Sequence, residues 1–288
     1  AANNWAIKGL ARANRAKRNH IIVSSIEHDS ILESCKELEK EGFEVTYLSV
    51  DETGVVSLAE LLHYIKPETI LISVMSVNNE VGTIQNIKAF AKTAHENGII
   101  FHTDAVQAIG ALKMDVQDME IDAMTMSAHK IYGPKGVGAL YLKNGIRIEN
   151  LIDGGNQERG KRGGTTNVPA IAGFGKAIEI AVRDLSVNQQ KLKAIRQYFL
   201  DKVEEQIPYV HLNGHPHQKI QGTVNLSFEL IEGESILMLL DLEGIAVSTG
   251  SACTSGSLEP SHVLKAMGVP NELAQGSIRF SFGKATTK

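Results

Sequence analysis

Four short apolar runs in the first half of the chain are each followed by polar residues that could do chemistry. These polar residues are His28, Asn78, Asn79, Asp104, Gln107, Ser127, His129 and Lys130. In an open α/β sheet the ligand lies outside the carboxyl ends of the strands, so these side chains are predicted to meet in one crevice. A lysine beside an aspartate there suits pyridoxal phosphate, which needs an amine for a Schiff base and a carboxylate for its pyridinium nitrogen.

Lys130 is one of two lysines that could provide this amine. The motif S-A-H-K is weak evidence by itself, because a lysine after a strand is usually a solvated surface residue. Its combination with Asp104 and the other strand ends favours the cofactor interpretation. The competing lysine, Lys135, lies in the G-P-K-G turn one step beyond the strand end, so we interpret it as structural.

Cys253 lies in a run of small residues, S-T-G-S-A-C-T-S-G-S, which spans 248–257. A free cysteine is more often buried and inert. No neighbour in this run has the bulk to bury a thiol, however, so an exposed thiol suited to nucleophilic attack or sulfur carriage is favoured. The second cysteine, Cys35, shares a helical apolar pattern with Ile31 and Leu38 and is predicted to lie in the core.

Two further segments could bind anions. Arg279 alternates with Ile278 and Phe280 in S-I-R-F-S, so its side chain faces away from theirs and could hold a substrate carboxylate bidentately. A salt bridge at a domain interface would explain the same pattern. The glycine-rich stretch 154–166 could hold an anion through backbone N–H groups, although such a stretch is more often a flexible loop.

The elements that would position these residues follow an alternating pattern. Short β-rich runs alternate with segments of helical period, which predicts a mostly parallel sheet sandwiched by helices. The candidate strands are 21–26, 70–77, 99–103, 123–127 and 138–142. A helical stretch over 170–207 is expected to lead to a smaller α/β unit, whose candidate elements are 224–228, 235–242, 246–248 and 278–282. The prediction is an α/β fold with a large domain over 1–186 and a small C-terminal domain over 187–288 that carries Cys253.

The composition restricts the class of protein. The 29 basic and 33 acidic residues give a net charge of −4, which offers no basic field for nucleic acid and no polybasic membrane anchor. No apolar run approaches the roughly 20 residues that span a bilayer. Two cysteines in unlike surroundings predict neither a disulfide framework nor a metal cluster, and they favour a cytoplasmic protein. The basic N-terminal stretch resembles a transit peptide in composition, but its helical pattern favours a fragment cut inside a domain.

Six motifs over the whole chain resemble the cysteine desulfurases of the NifS/IscS type. They are S-A-H-K-I-Y-G-P-K-G-V-G-A-L-Y, V-N-N-E-V-G, H-T-D-A-V-Q, E-R-G-K-R-G-G-T, S-T-G-S-A-C-T-S and S-I-R-F-S-F-G. The resemblance implies a fold-type-I pyridoxal-phosphate enzyme, normally a homodimer. Such an enzyme releases alanine from L-cysteine while one of its own cysteines becomes a persulfide.

The resemblance also implies which residues bind the cofactor ring. Lys130 would form the Schiff base, and Asp104 would pair with the pyridinium nitrogen. Gln107 and Asn79 would contact the cofactor and the substrate near the ring oxygen. His28 would stack on the ring and assist proton transfer, including removal of the thiol proton of the nucleophile.

The same likeness assigns the phosphate and substrate contacts. Ser127 and His129 would bind the phosphate, together with Thr165 of the partner subunit. Arg279 would hold the substrate carboxylate, and Cys253 would be the nucleophile. The expected sulfur acceptors are iron–sulfur scaffold proteins or tRNA-thiolating enzymes.

One departure from the family and three alternatives stay open at this point. The family has a G-A-T-E turn before the A-N-N that opens this chain and a tail beyond Lys288, so the resemblance implies a chain that lacks both ends. A selenocysteine lyase or an aminotransferase on the same fold would share the cofactor residues. A non-catalytic sulfur-relay or scaffold protein is a third alternative, and the joint presence of Lys130, Asp104, His28 and Cys253 argues against it.

Overall fold

The computed structural model describes residues 1–250 and 260–288. Over these residues the chain divides into two compact units. The first unit comprises Ala1–Ser49, Ser57–Ser76 and Gln85–Arg183, and the second comprises Val50–Val56, Val77–Ile84 and Asp184–Lys288. Each unit contains its own β-sheet.

A six-stranded sheet forms the centre of the first unit. Its strands are β1 (His20–Ser24), β2 (Glu44–Leu48), β3 (Thr69–Ser73), β4 (Ile100–Asp104), β5 (Ala123–Ser127) and β6 (Gly138–Leu142). Their spatial order is β2-β1-β3-β4-β5-β6, and every neighbouring pair is parallel except β5 and β6. The predicted α/β fold with a mostly parallel sheet is therefore confirmed.

Five of the six strands overlap the predicted runs. β3 ends earlier than predicted, because the backbone leaves the regular ladder after Ser73, although the N–H of Ser76 still donates to the carbonyl of Asp104 at 2.9 Å. The sequence pattern does not predict β2. This strand is at the edge of the sheet and mostly half-exposed, so it needs no apolar run.

Short and medium helices accompany this sheet. They are α1 (Ala2–Asn4), α2 (Leu10–Ala13), α3 (Asp29–Lys40), α4 (Leu58–Tyr64), α5 (Ile87–Glu96) and α6 (Val168–Arg183), with a π-helical turn at Trp5–Gly9 and 3₁₀ turns at Arg15–Lys17, Ala128–Ile131 and Gln157–Gly160. Polar side chains determine where three of the helices begin, because His28, Ser57 and Asn86 accept N-terminal backbone N–H groups of α3, α4 and α5.

The core of the first unit joins the N-terminal helical segment to the sheet and to α3. Ile7 and Leu10 belong to the same buried cluster as Ile21 of β1 and Cys35 of α3. Cys35 has no exposed surface, and burial raises the pKa of its thiol to about 12. Cys35 is thus a core residue, as predicted, and its thiol stays protonated.

A three-stranded antiparallel sheet organises the second unit. Its strands, in spatial order, are β7 (Val210–Asn213), β8 (Thr223–Phe228) and β9 (Ser277–Ser281), and its helices are α7 (Leu185–Gln206), α8 (Gly233–Leu242), α9 (His262–Ala266) and α10 (Asn271–Gln275). The ring of Phe199 on α7 lies 4.8 Å from the ring of Phe280 and 5.3 Å from that of Phe282, measured between centroids. Helix α7 therefore packs on this sheet through aromatic contacts.

Two predicted elements differ in the structure. The helical stretch 170–207 is two helices, α6 and α7, because the backbone of Asp184 leaves the helical conformation between them. The candidate element 246–248 forms neither a strand nor a helix, and only Ser248 pairs there, through an isolated bridge to Arg279. Among the residues that the structure describes, no helix combines the length and the apolar character needed to cross a membrane.

Candidate active site

Lys130 lies in the 3₁₀ turn Ala128–Ile131, directly after β5. Ala128 is fully buried and Ile131 is 6% exposed, and both pack against α6. These two anchors leave Lys130 exposed at the carboxyl end of the strand. Tyr132 follows with a φ of 64°, a left-handed conformation that non-glycine residues keep only where their surroundings fix it. The turn therefore holds the backbone at the lysine in a defined conformation.

Asp104 ends β4, the neighbour of β5, and is 5% exposed. Its Oδ1 accepts a hydrogen bond from the N–H of Val106 at 2.9 Å, and its Oδ2 accepts one from Nδ2 of Asn3 at 2.7 Å. Burial raises the pKa of the carboxyl group, whereas these hydrogen bonds and the positive charges of His28 and Lys130 act to lower it. Both side chains are therefore close enough to influence the pKa of Asp104.

Asn3 links Asp104 to the helix that His28 begins. It is 8% exposed, its Nδ2 also donates to Oγ of Ser30 at 2.8 Å, and its Oδ1 accepts a hydrogen bond from the hydroxyl of Thr125. Sequence reasoning missed this residue. A signal was present, because Asn3 precedes apolar residues at i+3, i+4 and i+7 and is thus a polar side chain on a buried helix face.

His28 is held as the N-cap of α3. Its Nδ1 accepts the N–H of Ser30 at 3.1 Å and lies 2.9 Å from Oγ of the same serine. Because Nδ1 accepts hydrogen bonds in this cap, the neutral ring carries its proton on Nε2. A chain of hydrogen bonds thus runs from His28 through Ser30 and Asn3 to Asp104. This arrangement makes Nε2 of the neutral ring a hydrogen-bond donor.

Ser127 and His129 form a polar group at the end of β5. Oγ of Ser127 lies 2.8 Å from Nδ1 of His129. Partial burial and the positive charges of Lys130 and Lys135 lower the pKa of His129. A hydroxyl group and an imidazole close to two ammonium groups are suitable donors for a phosphate group. Lys135 is exposed in the turn that precedes β6.

Gln107 and Thr165 are the other residues of the first unit that the resemblance assigns. Gln107 is half-buried three positions after Asp104, and over 1–250 and 260–288 it has no hydrogen-bond partner. Thr165 is exposed in the stretch that precedes α6. The backbone of that stretch takes left-handed conformations at Glu158 and Arg159, so it is irregular, as its glycines predict.

Glu27 and His102 are two buried titratable groups of the first unit, and sequence reasoning missed both. Glu27, directly before His28, has no exposed surface, and its Oε1 accepts hydrogen bonds from Oγ of Ser24 at 2.6 Å and from the N–H of Met75 at 2.7 Å. Burial and the charge of Asp104 raise the pKa of Glu27 to about 8. Burial lowers the pKa of His102 on β4 to about 3. At neutral pH both groups are uncharged.

Asn79 and Arg279 belong to the second unit. Nη1 of Arg279 donates to the backbone carbonyl of Asn79 at 3.0 Å. The backbone of Arg279 also pairs with that of Ser248 in both directions, at 2.7 Å and 3.3 Å. Asn78 stabilises the turn before Glu80, because its Oδ1 accepts the N–H of that residue at 2.9 Å. The predicted substrate residues Asn79 and Arg279 are therefore in direct contact.

Cys253, the predicted nucleophile, lies outside the described residues. The described residues that flank it in the sequence are Gly250 and Pro260. Ser248 is bridged to Arg279 on one side, and Ser261 caps α9 on the other by accepting the N–H of Val263 at 3.1 Å.

The donor set of the first unit fits pyridoxal phosphate. It contains an exposed primary amine on Lys130, a buried carboxylate on Asp104 and an imidazole on His28, with Lys130 and His28 within electrostatic range of that carboxylate. The cofactor requires an amine for covalent attachment and an anion at its ring nitrogen. Ser127 and His129 supply polar groups suitable for its phosphate.

Comparisons with known proteins agree with this chemistry. The sequence profile of a family described as aminotransferase class-V matches residues 1–288. The chain is 54% identical over 289 residues to the cysteine desulfurase IscS of Clostridium botulinum (strain Hall), an alignment that covers 100% of this chain and 73% of that protein. Among solved structures, a NifS-like protein superposes with a TM-score of 0.93 at 38% identity, covering 100% of this chain and 76% of the other. A structure described as SspA in complex with cysteine has a TM-score of 0.85 at 38% identity, with coverage of 98% and 78%.

Proposed function

This chain belongs to the aminotransferase class-V family, and we propose that it is a pyridoxal-phosphate-dependent cysteine desulfurase. It would convert L-cysteine to L-alanine and leave the sulfur as a persulfide on Cys253. The observation that carries the proposal is the buried carboxylate of Asp104, which lies within electrostatic range of Lys130 and His28. Relatives that carry the name cysteine desulfurase, 54% identical over the whole chain, support the substrate class.

The residues that would hold the cofactor are assigned as follows. Lys130 would attach it covalently, and Asp104 would pair with its ring nitrogen. Gln107 and Asn79 would contact the cofactor and the substrate, and His28 would lie against the ring. The phosphate contacts are Ser127, His129 and, in a homodimer, Thr165 of the partner subunit. When bound, pyridoxal phosphate supplies an electron sink for negative charge at the α carbon of the substrate.

Arg279 is suited to bind the substrate carboxylate. A guanidinium group can hold a carboxylate through two parallel hydrogen bonds. In this structure Nη1 of Arg279 donates to the backbone carbonyl of Asn79, so the two residues proposed to contact the substrate are already ordered together. Such prior ordering reduces the entropy lost when the substrate binds.

His28 would take part in proton transfer through its Nε2 atom. Its Nδ1 is engaged in the cap of α3, so Nε2 is the ring nitrogen that can exchange a proton with the substrate. Cys253 must lose its proton before it can attack the sulfur of the substrate. An ordinary cysteine has a pKa of about 8.5 and is only a few per cent ionised at neutral pH, so a neighbouring base or cation should assist. We propose His28 as the base that takes the proton of the thiol.

The bond changes balance without an external oxidant. The bond between Cβ and sulfur of the substrate breaks, a bond between that sulfur and Sγ of Cys253 forms, and the carbon skeleton leaves as alanine after it gains protons. The persulfide then passes its terminal sulfur to an acceptor, for which we propose iron–sulfur scaffold proteins or tRNA-thiolating enzymes. We also propose a homodimer and a cytoplasmic location, on the strength of the family resemblance.

Substitution of the two competing lysines tests the cofactor assignment. Lys130→Ala should abolish alanine release from L-cysteine and should also abolish the covalently retained cofactor that borohydride reduction reveals in the intact mass. Lys135→Ala is the matched control, because Lys135 is a second exposed lysine only five positions away, and it should retain both properties. Covalent cofactor in Lys130→Ala, together with its loss in Lys135→Ala, would overturn the assignment.

A further inference from the structure

Two basic side chains of the second unit are buried, and none of the roles assigned above uses them. Arg196 on α7 is 9% exposed, and Lys219, in the segment between β7 and β8, is 2% exposed. Lysine and arginine are almost never buried to this extent unless they are paired. The pair therefore requires an explanation.

The two side chains lack the partners that burial normally demands. Across the described residues, Nε and Nη1 of Arg196 and Nζ of Lys219 are buried and have no hydrogen-bond partner, and no carboxylate forms an ion pair with either residue. Burial lowers the pKa of both groups, and the charge of Arg196 further lowers the pKa of Lys219, to about 8. The two cations are thus close enough to repel each other.

The surrounding packing holds the pair in place. Lys219 forms an isolated β-bridge with Thr83, and its carbonyl accepts a hydrogen bond from Nε2 of Gln221 at 3.3 Å. A Cβ atom on Gly222 would lie 3.6 Å from Leu192, one helical turn before Arg196 on α7. Arg196 therefore lies on the face of α7 that covers this segment.

A buried, unpaired charge destabilises a folded protein, and two like charges add repulsion to that cost. We propose that Arg196 and Lys219 form a binding site for a small divalent oxyanion, of which hydrogen phosphate is the representative. Two positive charges match its two negative charges, and the N–H groups on three nitrogen atoms that have no partner among the described residues match its oxygen acceptors.

Gln221 adds a feature that suits a partly protonated oxyanion. Its Oε1 is a buried acceptor that has no partner among the described residues. An acceptor beside an anion is unfavourable unless the ligand carries a proton, and hydrogen phosphate has one P–O–H group. The low exposure of both cations limits the ligand to a few heavy atoms.

Thermal unfolding of the holoenzyme with inorganic phosphate tests this site. Saturation with pyridoxal phosphate keeps the cofactor site occupied, and sodium chloride at the same ionic strength controls for general salt effects. Phosphate at about 100 times its dissociation constant should raise Tm by at least about 4 °C over the chloride control. A Tm equal to that in chloride would overturn the proposal.

Charge-removing variants locate the effect. Lys219→Met and Arg196→Met should each lose the phosphate-dependent rise in Tm, and in phosphate-free buffer Lys219→Met should be at least as stable as the parent because a buried unpaired charge is gone. Lys193→Met is the matched control, since Lys193 is an exposed lysine on the same helix, and it should keep the full response. An undiminished response in Lys219→Met would overturn the proposal, and this variant decides the question even if Arg196→Met does not fold.

Discussion

At the scale of single residues, Asp104 is the group on which the proposed cofactor site depends. Its carboxylate is buried, and its two hydrogen bonds from Val106 and Asn3 favour the charged form. Asp104→Asn keeps the size of the side chain and removes the charge. Because a hydrogen bond to a charged group is worth about 1.5–3 kcal/mol, we expect turnover to fall about 10- to 100-fold and the cofactor to dissociate more readily.

The matched control for this change is Asp118→Asn. Asp118 is an exposed aspartate that pairs with Lys88 at 2.8 Å, so its loss should leave turnover and cofactor affinity within twofold of the parent. Equal turnover in Asp104→Asn and the parent, at full cofactor occupancy, would show that the ring nitrogen has another partner.

Asn3 acts on the same carboxylate through a hydrogen bond. Its Nδ2 donates to Oδ2 of Asp104 and so lowers the pKa of that group. Asn3→Ala should raise the pKa of Asp104, and the acid limb of the pH profile of turnover should move to higher pH, because Asp104 then needs a higher pH to be ionised. Asn4→Ala serves as the control, since Nδ2 of Asn4 donates to a backbone carbonyl of α3 at 3.1 Å. An unchanged acid limb in Asn3→Ala would exclude the positioning role.

The sequence predicted the candidate cofactor residues by their types and spacing, but it did not predict the side chains that support them. Lys130 and Asp104 follow strands, and the position of a strand end can be inferred from an apolar run. The roles of Asn3 and Glu27 depend on which side chains meet across more than one element, and Asn3 contacts Asp104 from 101 positions away. No local pattern carries that information.

At the scale of elements, the 3₁₀ turn Ala128–Ile131 positions Lys130. A Cβ atom on Gly133 would lie 2.9 Å from the carbonyl oxygen of Ala128 and 3.1 Å from Cβ of Ala177 on α6. Gly133→Ala should therefore displace the turn, lower the free energy of unfolding by about 1–3 kcal/mol and reduce turnover more than tenfold.

Gly175→Ala provides the comparison for this substitution. Gly175 is exposed within α6, and apart from the adjoining backbone of its own helix no atom of the described residues lies within 4 Å of a Cβ atom built on it. Alanine should therefore stabilise the helix by about 0.5–1 kcal/mol and preserve turnover. Denaturant unfolding and alanine assays of the two variants measure both effects. If Gly133→Ala is as active and as stable as Gly175→Ala, the conformation of this turn does not determine the position of Lys130.

The elements themselves were predictable to different degrees. The buried strands β1, β3, β4 and β5 follow from their apolar runs, because strands covered on both faces leave continuous hydrophobic sequence. The edge strand β2 is mostly half-exposed and leaves no such run. The break between α6 and α7 at Asp184 has no proline or glycine to mark it. The helical period of the sequence therefore predicts one continuous helix through this position.

At the scale of the whole molecule, the buried carboxyl group of Glu27 links folding to pH. Its pKa is about 8 in the folded chain and near the ordinary glutamate value when unfolded, so the folded state binds a proton that the unfolded state does not between those values. This contribution to stability is fully present below about pH 4.5 and is lost as pH rises toward 8. Glu27→Gln should remove it, and the variant should therefore gain stability relative to the parent between pH 6 and about 8. Denaturant unfolding at several pH values measures this, and an unchanged pH dependence would contradict the burial of a protonated Glu27.

The central claim is that Cys253 receives the sulfur of L-cysteine, and one paired measurement tests it most directly. Wild type, Cys253→Ser and Cys35→Ala are incubated with L-cysteine at equal pyridoxal-phosphate occupancy, alanine is quantified, and the cysteine-containing peptides are examined by mass spectrometry for a persulfide. Cys253→Ser should lose alanine formation by orders of magnitude and carry no persulfide, because a hydroxyl group is far less acidic than a thiol and cannot accept sulfur as a stable persulfide. Cys35→Ala should keep both properties, since the Cys35 thiol is fully buried. Alanine at the wild-type rate in Cys253→Ser, or a persulfide found on Cys35, would contradict the account.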